Sequence, residues 1–208
     1  MTEKSTSRKI TQELDRLQKS LTISLEKFYR EKIRGSQLPP EEIRRKYGKE
    51  VEDSIRNSVQ SSWLFSGEII QDETGQKVFI SGKDGVGMEK TTKEMVDQFW
   101  TTSGKIWIRE NEYKYEGSQL VELSPYDMHA GMVGIGLFVL YYAYNQGMFS
   151  KSEELGGIKL KFVNREGCID TAICIPLNGR IFGPGEIPII PVRDTHRHCK
   201  CRLIPVLA

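Results

Sequence analysis

Cysteine is absent from the first 167 residues of this chain of 208, and all four cysteines lie in the last 41 residues. Two of the three histidines lie in the same stretch. The long N-terminal part must therefore fold without disulfides or thiol ligands, and the C-terminal part is a chemically distinct unit. The residues that distinguish it are Cys168, Cys174, Cys199, Cys201, His196 and His198.

An excess of charge of one sign is also lacking. The chain has 30 Lys and Arg against 28 Asp and Glu, which gives a net charge of +2. This balance excludes a strongly basic nucleic-acid coat protein and a dominant acidic tail. Residues 1–10 are polar and lack the apolar stretch of a signal peptide. We therefore expect a reducing compartment, where clustered cysteines bind metals more often than they form disulfides.

A long uninterrupted apolar run is missing as well. Residues 128–150 contain no Asp, Glu, Lys or Arg, and a membrane span needs about 20 mostly apolar residues. Only residues 132–144 are densely apolar, however, glycines interrupt the run, and no basic cluster flanks it. We therefore expect a buried central helix in place of a membrane span.

The N-terminal third has a helical pattern. In residues 10–33 the apolar side chains recur at spacings of three and four, which predicts an amphipathic helix that packs on a core or forms a coiled-coil seam. A second helix is predicted from Pro40, with apolar residues every fourth position up to Trp63. The short proline-containing link predicts that the two helices are antiparallel.

Glycines dominate the next segment. They punctuate two short apolar runs within residues 66–90, which predicts a hairpin or an extended excursion. Residues 78–87 look like the start of a phosphate-binding loop, but two residues separate the last glycine from the lysine that such a loop needs, so a glycine-rich turn is favoured. Residues 91–100 are predicted as a helix and residues 105–108 as a short strand.

The C-terminal part begins with a helix-start pattern. Ser124 is placed to cap a helix whose first residue is Pro125, and this helix is predicted to run to Gly147. Alternating apolar and charged residues at 158–162 predict a half-buried strand.

We therefore expect an α+β fold with long N-terminal helices, a central buried helix and a small β-rich Cys/His unit. The predicted regions are a helical part at 1–65, a mixed hairpin and helix part at 66–123, and a C-terminal part at 124–208.

Soft thiolates with nearby imidazoles suit a zinc ion in a closed tetrahedral site, which would staple a unit too small to bury much core. The spacing is loose, since five residues separate Cys168 from Cys174 and one separates Cys199 from Cys201. Buried free thiols and a disulfide therefore remain alternatives. The candidate ligands are Cys168, Cys174, Cys199, Cys201, His196 and His198, and the candidate cofactor is structural Zn²⁺.

Two other functions fit the same residues less well. A catalytic cysteine needs a base to form its thiolate, and His198 beside Cys199 in sequence does not establish contact in space. The signatures of Cys/His hydrolases are absent, so we expect no enzyme. A basic tip is available for phosphate contacts or for simple solvation, and it consists of Arg193, Arg197, Lys200 and Arg202.

Residues 174–182 and 196–201 together resemble the phage head morphogenesis family, the phage Mu F-like minor head proteins of tailed viruses. The family pattern has two cysteines, Leu-Asp-Gly-Lys-x-Phe, a proline-containing stretch and His-Pro-x-Cys-Arg-Cys. Here Asn178 and Arg180 replace the aspartate and lysine, and Thr171 stands where the family has its first cysteine. In the second part Arg197 replaces the proline and Lys200 the arginine. The resemblance extends over residues 126–208.

This resemblance implies a virion component present in few copies near the portal vertex. It would act in head assembly and in genome packaging or ejection by binding portal and capsid proteins, with viral DNA and further copies of the chain as additional candidate partners. The implied location is the virion, and the cytoplasm of the infected host during assembly. The alternative function is a zinc-binding module that interacts with nucleic acid.

Overall fold

A computed structural model of the chain describes residues 3–36, 38–115, 125–165, 172–187, 190–191, 195 and 199–206. These residues form four long helices, one short helix and three strands. The helices are α1 (Glu3–Phe28), α2 (Pro40–Thr74), α3 (Gly82–Tyr115), α4 (Pro125–Leu155) and α5 (Cys174–Leu177), and the strands are β1 (Lys159–Val163), β2 (Ile181–Phe182) and β3 (Arg202–Val206). A π-helical turn, Tyr29–Ile33, continues α1. The predicted α+β class is confirmed.

The predicted antiparallel pair of N-terminal helices is present. Lys9 near the start of α1 forms an ion pair of 2.6 Å with Asp72 near the end of α2, so the two helices run in opposite directions. The apolar stripe of α1 is buried, with Ile10 and Leu14 fully inaccessible. Because α1 also packs against α4, its stripe belongs to a multi-helix core and not to a two-stranded coiled-coil seam.

The hairpin predicted within residues 66–90 is wrong, because α2 continues to Thr74 and α3 begins at Gly82. Gly67 lies inside α2, where Val78 packs so closely that a Cβ would lie 3.1 Å from its Cγ1. The glycine therefore permits a close approach and does not end the helix. The strand predicted at residues 105–108 is also wrong, since these residues lie within α3.

The start of α3 is fixed by a reciprocal capping arrangement. The backbone N–H of Ser81 donates to Asp84 Oδ2 at 2.7 Å, and the backbone N–H of Asp84 donates to Ser81 Oγ at 3.3 Å. This pair satisfies backbone donors that a helix start otherwise leaves open. The glycine-rich segment 78–87 thus leads into a helix, and the expected glycine-rich turn is not formed.

Helix α4 is the predicted central buried helix. It contacts α1, α2 and α3 and also both β1 and β3, and its residues from Val139 to Tyr144 are all buried. It starts at Pro125 as predicted but continues past Gly147 to Leu155. Gly147 does not end it because the glycine lies directly against α2, where a Cβ would overlap Ser66 Oγ. Ser124 lies outside the described residues. No helix in the described part of the chain has the length and apolar character of a membrane span.

The three strands form one antiparallel sheet in the order β2-β1-β3. Leu160 pairs with Phe182 on one side, and Phe162 pairs with Leu203 on the other. Leu160 and Phe162 point into the core while Lys159 is exposed, so the predicted half-buried strand is confirmed. The sheet places the start of β3 beside α4.

Candidate metal centre

Three of the predicted ligands meet in one buried cluster. The Sγ atoms of Cys174, Cys199 and Cys201 all lie within 4.8 Å of one another, and each residue is at most 1% exposed. The Cys174 and Cys199 sulfurs are 3.8 Å apart. All three thiols are free, so no disulfide forms among them. The residues thus converge although 25 positions of sequence separate the first from the second.

Cys174 is positioned through β1. It begins α5, and the chain after α5 is bonded to β1 on both sides: Gly179 N–H donates to Phe162 O at 2.8 Å, and Phe162 N–H donates to Arg180 O at 2.9 Å. Gly179 has φ +81°, a left-handed conformation that favours glycine. The Asn-Gly step after α5 therefore turns the chain back onto the sheet and brings Cys174 over the core.

Cys199 and Cys201 lie in the segment that leads directly into β3. A single residue separates them, and both thiols face one site together with Cys174. Lys200 points elsewhere and its ammonium contacts Asp15 on α1 at 2.8 Å. The close spacing that made these two cysteines doubtful ligands in the sequence is thus compatible with a shared ion.

Helix α4 holds the cysteine-bearing segment directly. Asn145 Nδ2 donates to the backbone oxygen of Cys201 at 3.1 Å, and Leu203 N–H donates to Asn145 Oδ1 at 2.8 Å. Tyr144 Oη donates to the backbone oxygen of Leu203 at 3.1 Å. Sequence reasoning missed these residues, although a polar Asn145 at the end of a dense apolar run was the available signal.

The three thiols perturb one another. Hydrogen bonding from the Cys201 thiol lowers the pKa of Cys199, against the opposing effect of burial, with further hydrogen bonds from Thr195 and Cys174. The same hydrogen bond, reinforced by burial, raises the pKa of Cys201. The coupled pair therefore loses its first proton more readily than an isolated thiol and its second less readily.

The donor set fits zinc. A tetrahedral ion with Zn–S bonds of about 2.3 Å implies sulfur–sulfur distances of about 3.8 Å, which agrees with the 3.8 Å between Cys174 and Cys199. Three buried cysteines thus lie close enough to bind a metal ion. The other predicted ligands, Cys168, His196 and His198, lie outside the described residues.

Two residues of the basic tip, for which phosphate contact and simple solvation were both open, are described, and both face the protein. Lys200 is paired with Asp15, and Arg202 is 5% exposed and donates to Ser7 Oγ. Burial lowers the pKa of Arg202, which also reflects a guanidinium turned into the protein. Both side chains fasten the cysteine segment to α1. Arg193 and Arg197 lie outside the described residues.

The catalytic alternative gains no base from the described residues. The histidine among them, His129, contacts Glu26 on α1 and lies on α4 at its N-terminal end, and His198 lies outside the described part of the chain.

No family model matches this chain, and comparisons with curated proteins and with solved structures give no match either. The support for a function therefore comes from the residues of this chain and their geometry.

Proposed function

We propose that this chain is a minor head protein of a tailed virus or provirus, associated with the portal or capsid, that acts by binding and not by catalysis. The observation that supports this proposal most is the coincidence of pattern and geometry. Among the residues that carry the resemblance to the Mu F-like family, Cys174, Cys199 and Cys201 form one buried cluster, and Phe182 pairs with Leu160 of β1. A sequence motif whose cysteines meet at one buried place supports the resemblance better than a motif whose residues lie scattered over the surface.

In this proposal the metal is structural Zn²⁺. Cys174, Cys199 and Cys201 would supply three ligands, and Cys168, His196 or His198 would supply the fourth. Zinc in a closed four-ligand site adds folding free energy and no reactivity. The rest of the chain then positions the site and binds partners. β1 positions α5, and α4 holds β3. The four long helices provide a rigid body for contacts with portal and capsid proteins.

Particle composition tests this function. We expect quantitative mass spectrometry of purified particles and procapsids of the encoding virus to find the chain in few copies relative to the capsid protein. We also expect loss of its gene to reduce assembly of DNA-filled heads. Absence from both kinds of particle, with normal heads in the deletion strain, would refute the proposal. A chain that is absent from particles but binds DNA with a steep salt dependence would support the zinc-binding nucleic-acid module instead.

A further inference from the structure

We propose that Asn145 is a positioning residue of the metal centre: it holds Cys201 in ligand geometry before a metal binds and so couples the central helix to the site. The inference rests on the metal part of the proposed function. It concerns a residue that contacts no sulfur, because Asn145 reaches the backbone of the cysteine segment and not its thiols.

The Asn145 side-chain amide forms three hydrogen bonds. Nδ2 donates to Tyr141 O in its own helix at 2.8 Å and to Cys201 O at 3.1 Å, while Oδ1 accepts from Leu203 N–H at 2.8 Å. The residue is 0% exposed. Because one rigid amide plane joins α4 to two backbone groups that bracket Arg202, it fixes both the position and the direction of the strand.

The chain around the cysteines has further anchors to the helices. Lys200 contacts Asp15, Arg202 contacts Ser7, and Tyr144 bonds to Leu203 O. Asn145 bonds to the backbone of a ligand residue itself, at Cys201 O, whereas Asn164 Oδ1 accepts from the thiol of the same residue at 3.6 Å. Groups that orient metal ligands by hydrogen bonds typically change metal affinity by about 10- to 100-fold when removed.

Cys174 has its own connection to the sheet. It belongs to α5, which is tied to β1 through Gly179 and Arg180, while β3, which follows Cys201, pairs with the other side of β1. The sheet therefore supports the segments on both sides of the site, and Asn145 adds a hydrogen bond from α4 at Cys201. The affinity of a metal ion bound there would depend on how well Cys201 is held.

The test measures metal affinity of the full chain under reducing conditions. Zn²⁺ binding is measured by competition with a chromophoric chelator, and Co²⁺ binding by its thiolate charge-transfer and ligand-field absorption. We expect Asn145→Leu, which keeps the branched side-chain shape and removes all three hydrogen bonds, to weaken Zn²⁺ binding by about 10- to 100-fold and to change the Co²⁺ spectrum. The matched control is Ser62→Ala, which removes a buried 2.7 Å hydrogen bond from α2 to Leu140 O of α4 away from the site.

The control separates positioning from general stability. Ser62→Ala should lower the melting temperature and leave both Zn²⁺ affinity and the Co²⁺ spectrum unchanged. A folded Asn145→Leu chain with wild-type affinity and spectrum overturns the inference and leaves the proposed metal intact. A wild-type chain that binds neither ion overturns the metal and this inference together. If Asn145→Leu does not fold, Asn145→Ala, which removes the same hydrogen bonds without adding bulk or charge, is measured instead, with the same two outcomes.

Discussion

The buried ion pair between Asp84 and Lys151 gives the sharpest test of how the helices are joined. Asp84 at the start of α3 is 0% exposed in its side chain and Lys151 near the end of α4 is 4% exposed. Asp84 also accepts hydrogen bonds from Trp63 Nε1 at 3.0 Å and from Ser81 N–H at 2.7 Å. One carboxylate therefore joins α2, α3 and α4. The variant to make is Asp84→Asn, which keeps the shape and removes the charge.

The expected cost follows from what remains around the ammonium. Removing one partner of a buried pair costs about 3–5 kcal/mol, because the other charge stays buried without compensation. Lys151 keeps a 2.8 Å contact with Glu154, whose side chain is 35% exposed, so we expect the lower end, about 3 kcal/mol. For a chain of this size that corresponds to a fall in melting temperature of about 6–12 °C.

The assay is urea unfolding followed by circular dichroism, with a double variant and a surface control. The single variants Asp84→Asn and Lys151→Met are compared with the double variant, which removes both charges and which we expect to be more stable than Asp84→Asn alone. Lys49→Ala breaks an exposed pair with Asp53 and should cost less than about 1 kcal/mol. An Asp84→Asn variant within about 1 kcal/mol of wild type would refute the reasoning, as would a double variant whose loss equals the sum of the two single losses.

Three further outcomes follow from the structure. Burial raises the pKa of Asp84, but hydrogen bonds from Lys151, Ser81 and Trp63 outweigh it and hold that pKa below its ordinary value. Its contribution is therefore complete above the unfolded pKa of about 4 and is lost as pH falls through the folded pKa, so acid titration should show a stability loss that Asp84→Asn lacks. Gly147→Ala should cost about 1–3 kcal/mol by overpacking, whereas Gly104→Ala, where a Cβ meets nothing within 4 Å, should stabilise by up to about 1 kcal/mol; equal effects in thermal melts would contradict the packing. Zn²⁺ should protect the three clustered cysteines from alkylation together, as mass spectrometry of the labelled peptides can check, and independent labelling of each would speak against a shared ion.

Much of the fold could be predicted from side-chain periodicity. The stripe of α1, the start of α2 at Pro40 and the alternation in β1 depend on local patterns, and each was found in the structure. The ends of α2 and α4 could not be predicted from the sequence, because glycine usually marks a helix end and Gly67 and Gly147 lie inside these helices. A tertiary contact explains each glycine, because another segment approaches too closely there for a side chain to fit.

The candidate site was predictable in part. Residue type and crowding pointed to Cys174, Cys199 and Cys201, and their convergence is what the structure adds. The role of Asn145 was not predictable, since it depends on β3 meeting α4 across 58 residues of sequence. The burial of the Arg202 side chain was likewise not predictable, because a basic residue within a basic stretch of sequence is normally exposed to solvent.

The most direct test of the central claim, that the clustered cysteines form a metal centre, is metal analysis of the full chain purified anaerobically. We predict one tightly bound zinc per chain, and loss of that zinc in the Cys174→Ser variant. Chelation should lower the melting temperature of the chain, because an ion that binds only the folded site stabilises the folded state. A fully folded wild-type chain that contains no metal and takes up no Zn²⁺ would contradict the claim.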